Sequence, residues 1–309
     1  TFNSNIANSN TAVGFYFGSG AAPVTFTGNT ASGNGVNFEG LASASTTGPI
    51  TISGSGGGDC DQIGTWEQSS KTCTLTADVT LASGSTTTPG GAYAVIYVGQ
   101  TLEYISTTGI TIDGAGHTIT GLGTAYGNYG VYLGQTAQIT VKNLVIENFY
   151  KILRTVNTNG ITITGNTVSN TGSAGIDVYS GSASTGVLVS NNTVQDSGGG
   201  ITVQNFMGTE SCSGDHASAP AYWYWNEGNT PHEPYPVIVK DNTITGVSNW
   251  GMSISSEKAC VDANTIVGAG AGMIITGSES IVSNNAVTDS TNEGIVAGGV
   301  GNTFDSNTS

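Results

Sequence analysis

The fold is decided by one ten-residue pattern that the chain repeats: ITITGNTVSN (residues 161–170), VLVSNNTVQD (187–196), VIVKDNTITG (237–246) and SIVSNNAVTD (280–289). Before each central Asn, apolar and polar residues alternate with the two-residue period of a half-buried strand. The alternation predicts that Ile161 and Ile163 face a core while Thr162 and Thr164 face outward. The same prediction holds for Val187 with Val189 and for Val237 with Val239.

Aligned on the central Asn, the pattern recurs along most of the chain at intervals of about 22 residues. The wide gap between Asn192 and Asn242 holds two periods plus an insertion. A short period with several strands, punctuated by Gly and Asn, predicts a parallel β-helix in which each period is one coil. We expect the Asn side chains to stack as a hydrogen-bonded ladder at a corner that also needs left-handed backbone. The predicted ladder consists of Asn143, Asn166, Asn192, Asn242, Asn264, Asn285 and Asn302.

A second signature follows each Asn, in which Gly precedes another short alternating strand. It appears as NYGVYL (128–133), SAGIDV (173–178), GGGITV (198–203), NWGMSI (249–254), GAGMII (270–275) and NEGIVA (292–297). We expect this Gly to be selected for a positive φ. The fold class predicted is therefore all-β, a right-handed parallel β-helix, or solenoid, with coils of about 22 residues in two stacked sections.

Composition excludes several function classes. The 309 residues include 47 Gly and only 9% charged side chains, and the net charge is −15. Such a chain repels phosphate backbones and anionic membrane surfaces, so no nucleic-acid partner is expected. No apolar run reaches the length of a membrane span, and residues 1–10 have neither signal-peptide nor transmembrane character.

The repeat is interrupted at a Gly-rich stretch that predicts three domains. We expect N-terminal β-helical coils at 1–53, a disulfide-tied junction at 54–92, and a main β-helix at 93–309 with an aromatic-rich insertion at 205–236. Cys60 and Cys73 are too far apart for a CxxC redox or zinc motif, so a local disulfide is expected, which leaves Cys212 to pair with Cys260. Free thiols and cross-links between chains remain alternatives at this stage.

The insertion carries four adjacent aromatic residues, Tyr222, Trp223, Tyr224 and Trp225, followed by Glu227 and Glu233. Aromatic rings of this kind favour an interface or packing on the chain itself. The alternative is a glycan-binding site, because aromatic faces stack on sugars and paired carboxylates perform glycosidic chemistry. A metal site built from His216 and His232 is disfavoured by their spacing, so no metal or cofactor is expected.

Asp113 and His117 lie in GITIDGAGHTITGLG (109–123), which reads as a starting coil. They could form an acid–base pair, but a corner hydrogen-bond network is the favoured interpretation. No catalytic residue is therefore predicted.

The two ends of the chain resemble each other, since GNTFDSNTS (301–309) matches TFNSNIANSN (1–10) when Thr303 is aligned with Thr1 and Phe304 with Phe2. No capping element is recognised at either end, and an uncapped coil exposes unpaired strand edges. We therefore expect one chain to stack head-to-tail on another copy of itself, as a homopolymer.

The Asn-centred coils and the stretch from CTLTADVT (73–80) to GITIDGAGHTITG (109–121) resemble the right-handed parallel β-helix repeat surface proteins of the NosD-like and pectate-lyase-like superfamily. The composition and ends are also similar to the sheath-forming surface proteins of filamentous archaea. The first resemblance implies the fold, and polysaccharide-cleaving members would imply Asp or Glu clustered with Arg or Lys. Here the cations are few, with Arg154 the single Arg. The expected function is an extracellular structural protein that forms a surface layer, sheath or fibre. A carbohydrate-active enzyme or a glycan-binding adhesin is the alternative.

Overall fold

The structure is a computed structural model. It describes residues 49–54, 56–81, 93–99, 108–124, 128–134, 136–156, 158–184, 186–207 and 237–309, together with strand segments between residues 2 and 46. The chain divides into two compact units, Thr1–Ser43 and Ala44–Ser309. Within the described residues no helix is long and apolar enough to cross a membrane.

The first unit contains six short strands, which pair in parallel as β1 with β4, β2 with β5 and β3 with β6. Phe2 is in register with Phe26, and Asn3 with Thr27. The strands are β1 (Phe2–Asn3), β2 (Ile6–Asn8), β3 (Val13–Tyr16), β4 (Phe26–Thr27), β5 (Thr30–Ser32) and β6 (Val36–Glu39).

The second unit is a solenoid of three sheets, each of which receives one strand per coil, and their described strands pair in parallel except for the antiparallel β9 (Gly64–Glu67). Sheet A holds ten strands: β9 (Gly64–Glu67), β10 (Thr72–Leu75), β13 (Thr111–Asp113), β16 (Ala137–Lys142), β19 (Asn159–Thr164), β22 (Val187–Ser190), β25 (Val237–Lys240), β28 (Ala259–Asp262), β31 (Ile281–Ser283) and β34 (Thr303–Asp305).

Sheets B and C complete each coil. Sheet B holds β7 (Ala44–Thr46), β11 (Val79–Leu81), β14 (Thr118–Thr120), β17 (Val145–Phe149), β20 (Thr167–Thr171), β23 (Thr193–Gln195), β26 (Thr243–Thr245), β29 (Thr265–Val267) and β32 (Ala286–Thr288). Sheet C holds β8 (Ile50–Thr51), β12 (Tyr93–Gly99), β15 (Asn128–Gly134), β18 (Lys151–Val156), β21 (Ala174–Ser184), β24 (Gly199–Met207), β27 (Trp250–Glu257), β30 (Ala271–Ile275) and β33 (Ile295–Ala297).

The predicted alternation is confirmed. Ile161 and Ile163 are buried, and the register continues them through Val187 and Val189 to Val237 and Val239. Stacking identical or similar side chains at the spacing of adjacent strands forms one continuous aliphatic column. The column supplies most of the buried apolar surface, which is the main force holding the coils together.

The domain boundaries differ from the sequence prediction. The division between the units falls at Ser43, not at residue 53, and β7 and β8 already belong to sheets B and C. The predicted junction at 54–92 contributes β10 and β11 to the same sheets, so the solenoid does not start at residue 93. The prediction failed because a Gly run was taken as a linker, whereas the coil pattern resumes within it.

The Cys60–Cys73 disulfide is confirmed, with an S–S distance of 2.02 Å. It joins a one-turn 3₁₀ helix, η1 (Cys60–Gln62), to β10, and between them β9 pairs with β10 in the antiparallel direction. Cys260 is not a free thiol. Its expected partner, Cys212, lies outside the described residues.

Candidate functional site

Three corners of each coil are made by single residues in left-handed conformation. Between sheets A and B, φ lies between 52° and 66° at Asn143, Gly165, Asn191, Asp241, Ala263, Asn284 and Ser306. The other two corners follow the same rule, at residues such as Gly160, Lys258 and Glu279, and at residues such as Asn148, Asn170 and Asp196. Short polar side chains and Gly tolerate this conformation best, which explains why these types recur in the sequence.

The Asn ladder lies one residue after the corner between sheets A and B. Asn166, Asn192, Asn242, Asn264 and Asn285 are buried, and each donates a side-chain hydrogen bond of 2.8–3.0 Å to the amide oxygen of the next Asn along the solenoid. Each backbone N–H donates to the same oxygen. Successive members are 21, 22 or 26 residues apart, close to the predicted period, except for the 50-residue separation of Asn192 and Asn242 across the insertion. The ladder satisfies polar groups that would otherwise be buried without partners.

Two of the seven predicted ladder residues are misplaced. Asn143 is the left-handed corner residue, and its amide donates to Asp113 Oδ1; the ladder position of that coil is occupied by Leu144. Asn302 belongs to a different corner, where its Oδ1 accepts from the N–H of Ser280. The last ladder member is instead Asn307. The predicted amide ladder is confirmed, but the left-handed conformation belongs to the residue before each ladder Asn and not to the Asn itself.

The Gly residues of the second signature were likewise explained wrongly. Gly251 and Gly272 have no positive φ; a Cβ at Gly251 would lie 2.4 Å from Ile266 Cγ2, and one at Gly272 would lie 2.2 Å from Val287 Cγ1. Glycine is required because the strand of sheet C passes directly over the inward side chain of sheet B.

The coil at residues 295–309 carries two exposed large apolar side chains. Phe304 is in register with Val282, which is fully buried, yet Phe304 is 39% exposed. Val300, in the same coil, is 78% exposed. We call Val300, Thr303, Phe304 and Asn307 the tail surface. It combines an apolar ring with Asn307, whose Oδ1 accepts from Asn285 in the Asn ladder.

The outward face of sheet C carries a second cluster, which the sequence analysis missed. Tyr97, Tyr132, Arg154 and Asp177 occupy one register position in four successive coils. The rings of Tyr97 and Tyr132 are stacked with centroids 6.0 Å apart, and Tyr129 meets Tyr132 edge-on at 5.5 Å. These residues lie about 22 to 35 positions apart in sequence, so only a register known in advance would have revealed them.

An ion cluster adjoins the tyrosines. The carboxylate of Asp177, whose side chain is 4% exposed, pairs with both Lys151 and Arg154. The guanidinium of Arg154 also lies 5.2 Å from the ring centroid of Tyr179. Two cations against one carboxylate leave a local surplus of one positive charge in a chain whose net charge is −15. Pairing and hydrogen bonding make this arrangement tolerable at low exposure.

Burial affects the titration of two of the tyrosines. Burial raises the pKa of Tyr97, and the neighbouring Tyr132 adds to the effect. Burial also raises the pKa of Tyr132, against the opposing charge of Arg154. Both hydroxyls therefore stay protonated at neutral pH and are hydrogen-bond donors as well as acceptors.

Asp113 and His117 do not form an acid–base pair. His117 Nδ1 lies 3.3 Å from Asp78 Oδ1, whereas Asp113 binds Lys142, Asn143 and the N–H of Ala115. Partial burial would raise the pKa of Asp113, but these hydrogen bonds and the Lys142 charge lower it overall. The favoured interpretation, a corner hydrogen-bond network, is confirmed.

Other predicted site residues cannot be placed. Tyr222, Trp223, Tyr224, Trp225, Glu227 and Glu233 lie outside the described residues, as do His216 and His232. Among the described residues, no group of three or more His, Cys, Asp or Glu side chains is arranged to hold a metal ion.

Comparison with known proteins agrees with this geometry. Residues 77–211 match a family model described as a right handed beta helix region. Together with the three parallel sheets, the match defines the class: the chain is a right-handed parallel β-helix repeat protein. No curated protein and no solved structure matches the chain.

Proposed function

We propose that the chain is an extracellular structural protein that self-assembles into a cell-surface layer, sheath or fibre when coils of separate copies stack. The observation that carries the proposal is the ring of Phe304 on the tail surface, which is 39% exposed although its register partner Val282 is fully buried. Covering this ring would stabilise a contact between copies by the burial of apolar surface that already joins coils. The proposal assigns no catalytic step and no cofactor to the chain.

An extracellular location is supported by the Cys60–Cys73 disulfide, because such bonds persist mainly in oxidising compartments. Only 9% of the side chains are charged, so few surface ion pairs contribute to stability. Salt screens such pairs, and the stability of this chain should therefore depend little on salt concentration, as suits an extracellular material.

The test compares two aspartate substitutions at exposed apolar residues. Phe304→Asp alters the tail surface, and Leu122→Asp, at a residue 54% exposed on the side of the solenoid, is the matched control. Particles formed by the unaltered chain are followed by sedimentation velocity and negative-stain microscopy. We expect Phe304→Asp to abolish them and Leu122→Asp to leave them intact. A chain that stays monomeric at millimolar concentration, or equal effects of the two substitutions, would overturn the proposal.

The second candidate is glycan binding, and the cluster on sheet C is the specific observation that favours it. Stacked tyrosines and a neighbouring guanidinium suit a sugar ring with hydroxyl or acidic substituents. Tyr132→Ala and Arg154→Gln are expected to lower binding to a polysaccharide panel at least tenfold without changing assembly. If neither substitution changes binding, this candidate is rejected.

A further inference from the structure

The tripeptide Asn191-Asn192-Thr193 is an N-glycosylation sequon whose first residue lies on the surface of the solenoid. Such a sequon consists of Asn, any residue except Pro, and then Ser or Thr. The chain contains two, which begin at Asn191 and at Asn307. Asn191 is exposed and forms the left-handed corner between sheets A and B, with φ of 55°. Exposure is the first requirement for modification, because a glycan is bulky and must extend into solvent.

The side-chain amides of the other Asn residues in this row of corners are bound to carboxylates. Asn143 Nδ2 donates to Asp113 Oδ1 over 3.0 Å, and Asn284 Nδ2 donates to Asp262 Oδ1 over 2.9 Å. Each carboxylate belongs to the preceding coil, where it lies opposite the residue before the Asn. These two Asn side chains therefore have a structural role in joining coils.

Asn191 has no such carboxylate. The equivalent residue of the preceding coil is Thr164, whose hydroxyl accepts from Ser190 Oγ over 3.1 Å. Among the described residues, no group accepts a hydrogen bond from the side-chain amide of Asn191. The left-handed backbone does not itself require Asn, since Gly165 forms the same corner one coil earlier. The amide nitrogen of Asn191 is thus available as a covalent acceptor.

The corner also has room for a sugar beside Asn191. On one side of it is Gly165, which has no side chain, and a Cβ at Gly165 would have only Asn143 within 4 Å. On the other side is Asp241, which is exposed. Thr193, the hydroxyl residue of the sequon, begins β23 and is half-buried on the outward face of sheet B. A sugar on Asn191 therefore extends into solvent without displacing a packed side chain.

The sequon at Asn307 has a different environment. Asn307 Oδ1 accepts from both the N–H and Nδ2 of Asn285, and Asn307 Nδ2 donates to the carbonyl of Val282. A glycan on this nitrogen would compete with hydrogen bonds that belong to the ladder. Two sequons that are equivalent in sequence are therefore unequal in the structure.

We infer that Asn191 is an N-glycosylation site and that Asn307 is not. This inference rests on the extracellular location in the proposed function, because N-glycosylation is a modification of secreted proteins. The co-reactant is an oligosaccharide linked through phosphate or diphosphate to a lipid carrier. Nδ2 of Asn191 forms a bond to the anomeric carbon of the sugar, and the bond from that carbon to the phosphate oxygen breaks. The lipid phosphate leaves with the electron pair, and one of the two amide protons passes to a base of the transferring enzyme.

A glycan on Asn191 is compatible with the proposed assembly. Asn191 and Ser306 belong to the same row of corner residues, four coils apart, which is roughly 19 Å at the strand spacing. The attachment point therefore lies on the side of the solenoid, away from Phe304 on the tail surface.

Peptide mapping by mass spectrometry of the chain taken from its own cells tests the site. After reduction, trypsin separates the two sequons, because Asn191 lies in peptide 155–240 and Asn307 in the peptide that begins at Ala259. We expect the first peptide to carry the added mass of a glycan and the second to carry none.

Substitutions at the hydroxyl residue show whether the sequon directs the modification. Thr193→Val keeps the β-branched shape but removes the hydroxyl, so the added mass should disappear, whereas Thr193→Ser should retain it. Thr167→Val is the matched control. Thr167 is the register partner of Thr193 one coil earlier, where the corner residue is Gly165, so this change should leave the glycan in place. Circular dichroism checks that each variant is folded.

The outcomes separate the inference from the proposed function. An unmodified Asn191 in chains recovered from the cell surface overturns the inference but leaves the extracellular location standing. An unmodified chain confined to the cytosol overturns both. A glycan on Asn307, or a glycan on Asn191 that persists in Thr193→Val, also overturns the inference.

Discussion

Asn192 Nδ2 donates a hydrogen bond to Asn242 Oδ1 over 3.0 Å, although 50 residues separate them in the chain. The insertion between them leaves the ladder unbroken, because the coil resumes at Val237 in the register it had at Val187. Ladder and aliphatic column are therefore properties of the stacked coils and not of continuous sequence.

Asn242→Ala is expected to destabilise the protein by roughly 2–4 kcal/mol, because the buried N–H of Asn192 and the carbonyl of Val189 both lose partners. Urea unfolding followed by circular dichroism measures the loss. The control is Asn249→Ala, at an exposed Asn outside the ladder, with an expected change of less than about 0.5 kcal/mol. Equal losses from the two variants would show that the ladder contributes no special stability.

Ala263 holds a left-handed corner with φ of 52°, where equivalent coils have Asn143, Asn191 and Asn284. A Cβ strains this conformation, and Asn relieves part of the strain through local hydrogen bonds. Ala263→Asn is expected to raise the free energy of unfolding by roughly 0.5–1 kcal/mol. Ala297→Asn, at an exposed strand residue without positive φ, should bring no gain. Thermal unfolding of both variants measures the change in melting temperature. A lower melting temperature for Ala263→Asn than for the unaltered chain would contradict the predicted stabilisation.

Gly251→Ala is expected to cost roughly 1–3 kcal/mol, because the new Cβ would lie 2.4 Å from Ile266 Cγ2 in a packed interior. Gly298→Ala is the matched control, since its nearest neighbour is 3.6 Å away and its φ is not positive. Chemical denaturation should place Gly298→Ala close to the unaltered chain. Similar denaturation midpoints for both variants would show that the strand of sheet C shifts away from Ile266 at little cost in free energy.

Much of the fold was predictable because each coil of a solenoid is specified by a short stretch of sequence. Alternation at Ile161 and Ile163 identifies the core column, and the recurring Asn identifies the coil, so both features need only a short window of sequence. The predicted position of the left-handed corner residue was wrong by one residue. Asn occupies the left-handed position in some coils, as at Asn143, and the ladder position in others, as at Asn166. Only the hydrogen bonds distinguish these two uses.

The candidate site was less predictable, because its side chains are brought together by contacts between coils and not by a local pattern. The exposure of Phe304 on the tail surface is not visible in the sequence, because its register partner Val282 is fully buried. The cluster of Tyr132, Arg154 and Asp177 is created by register between coils of unequal length, and no local signal marks it. The antiparallel β9 was also missed, since a hairpin and a parallel coil share the same alternation.

The Cys60–Cys73 disulfide closes a short loop and fixes β9 against β10. Replacing both cysteines by Ser is expected to lower stability by roughly 2–4 kcal/mol, since the unfolded chain gains conformational freedom. Differential scanning calorimetry of this variant and the unaltered chain measures the loss. Unchanged melting would indicate that β9 holds its place without the cross-link.

Alkaline pH should lower the stability of the protein through Tyr97 and Tyr132 on sheet C. Burial raises the pKa of both Tyr97 and Tyr132 above the ordinary value of about 10. Below pH 10 the folded and unfolded states bind the same phenolic protons, so the stability from these groups is fully present. As pH rises further, the unfolded state loses its protons first, and stability falls until the folded pKa is passed.

The double variant Tyr97→Phe with Tyr132→Phe keeps the stacked rings but removes both titrating hydroxyls. We expect it to lose less stability than the unaltered chain between pH 9 and pH 11. Urea unfolding across this pH range measures the slopes, and ultraviolet difference absorption of phenolate counts the late-titrating groups. Identical slopes for the double variant and the unaltered chain would show that these hydroxyls ionise as freely in the folded protein as in the unfolded one.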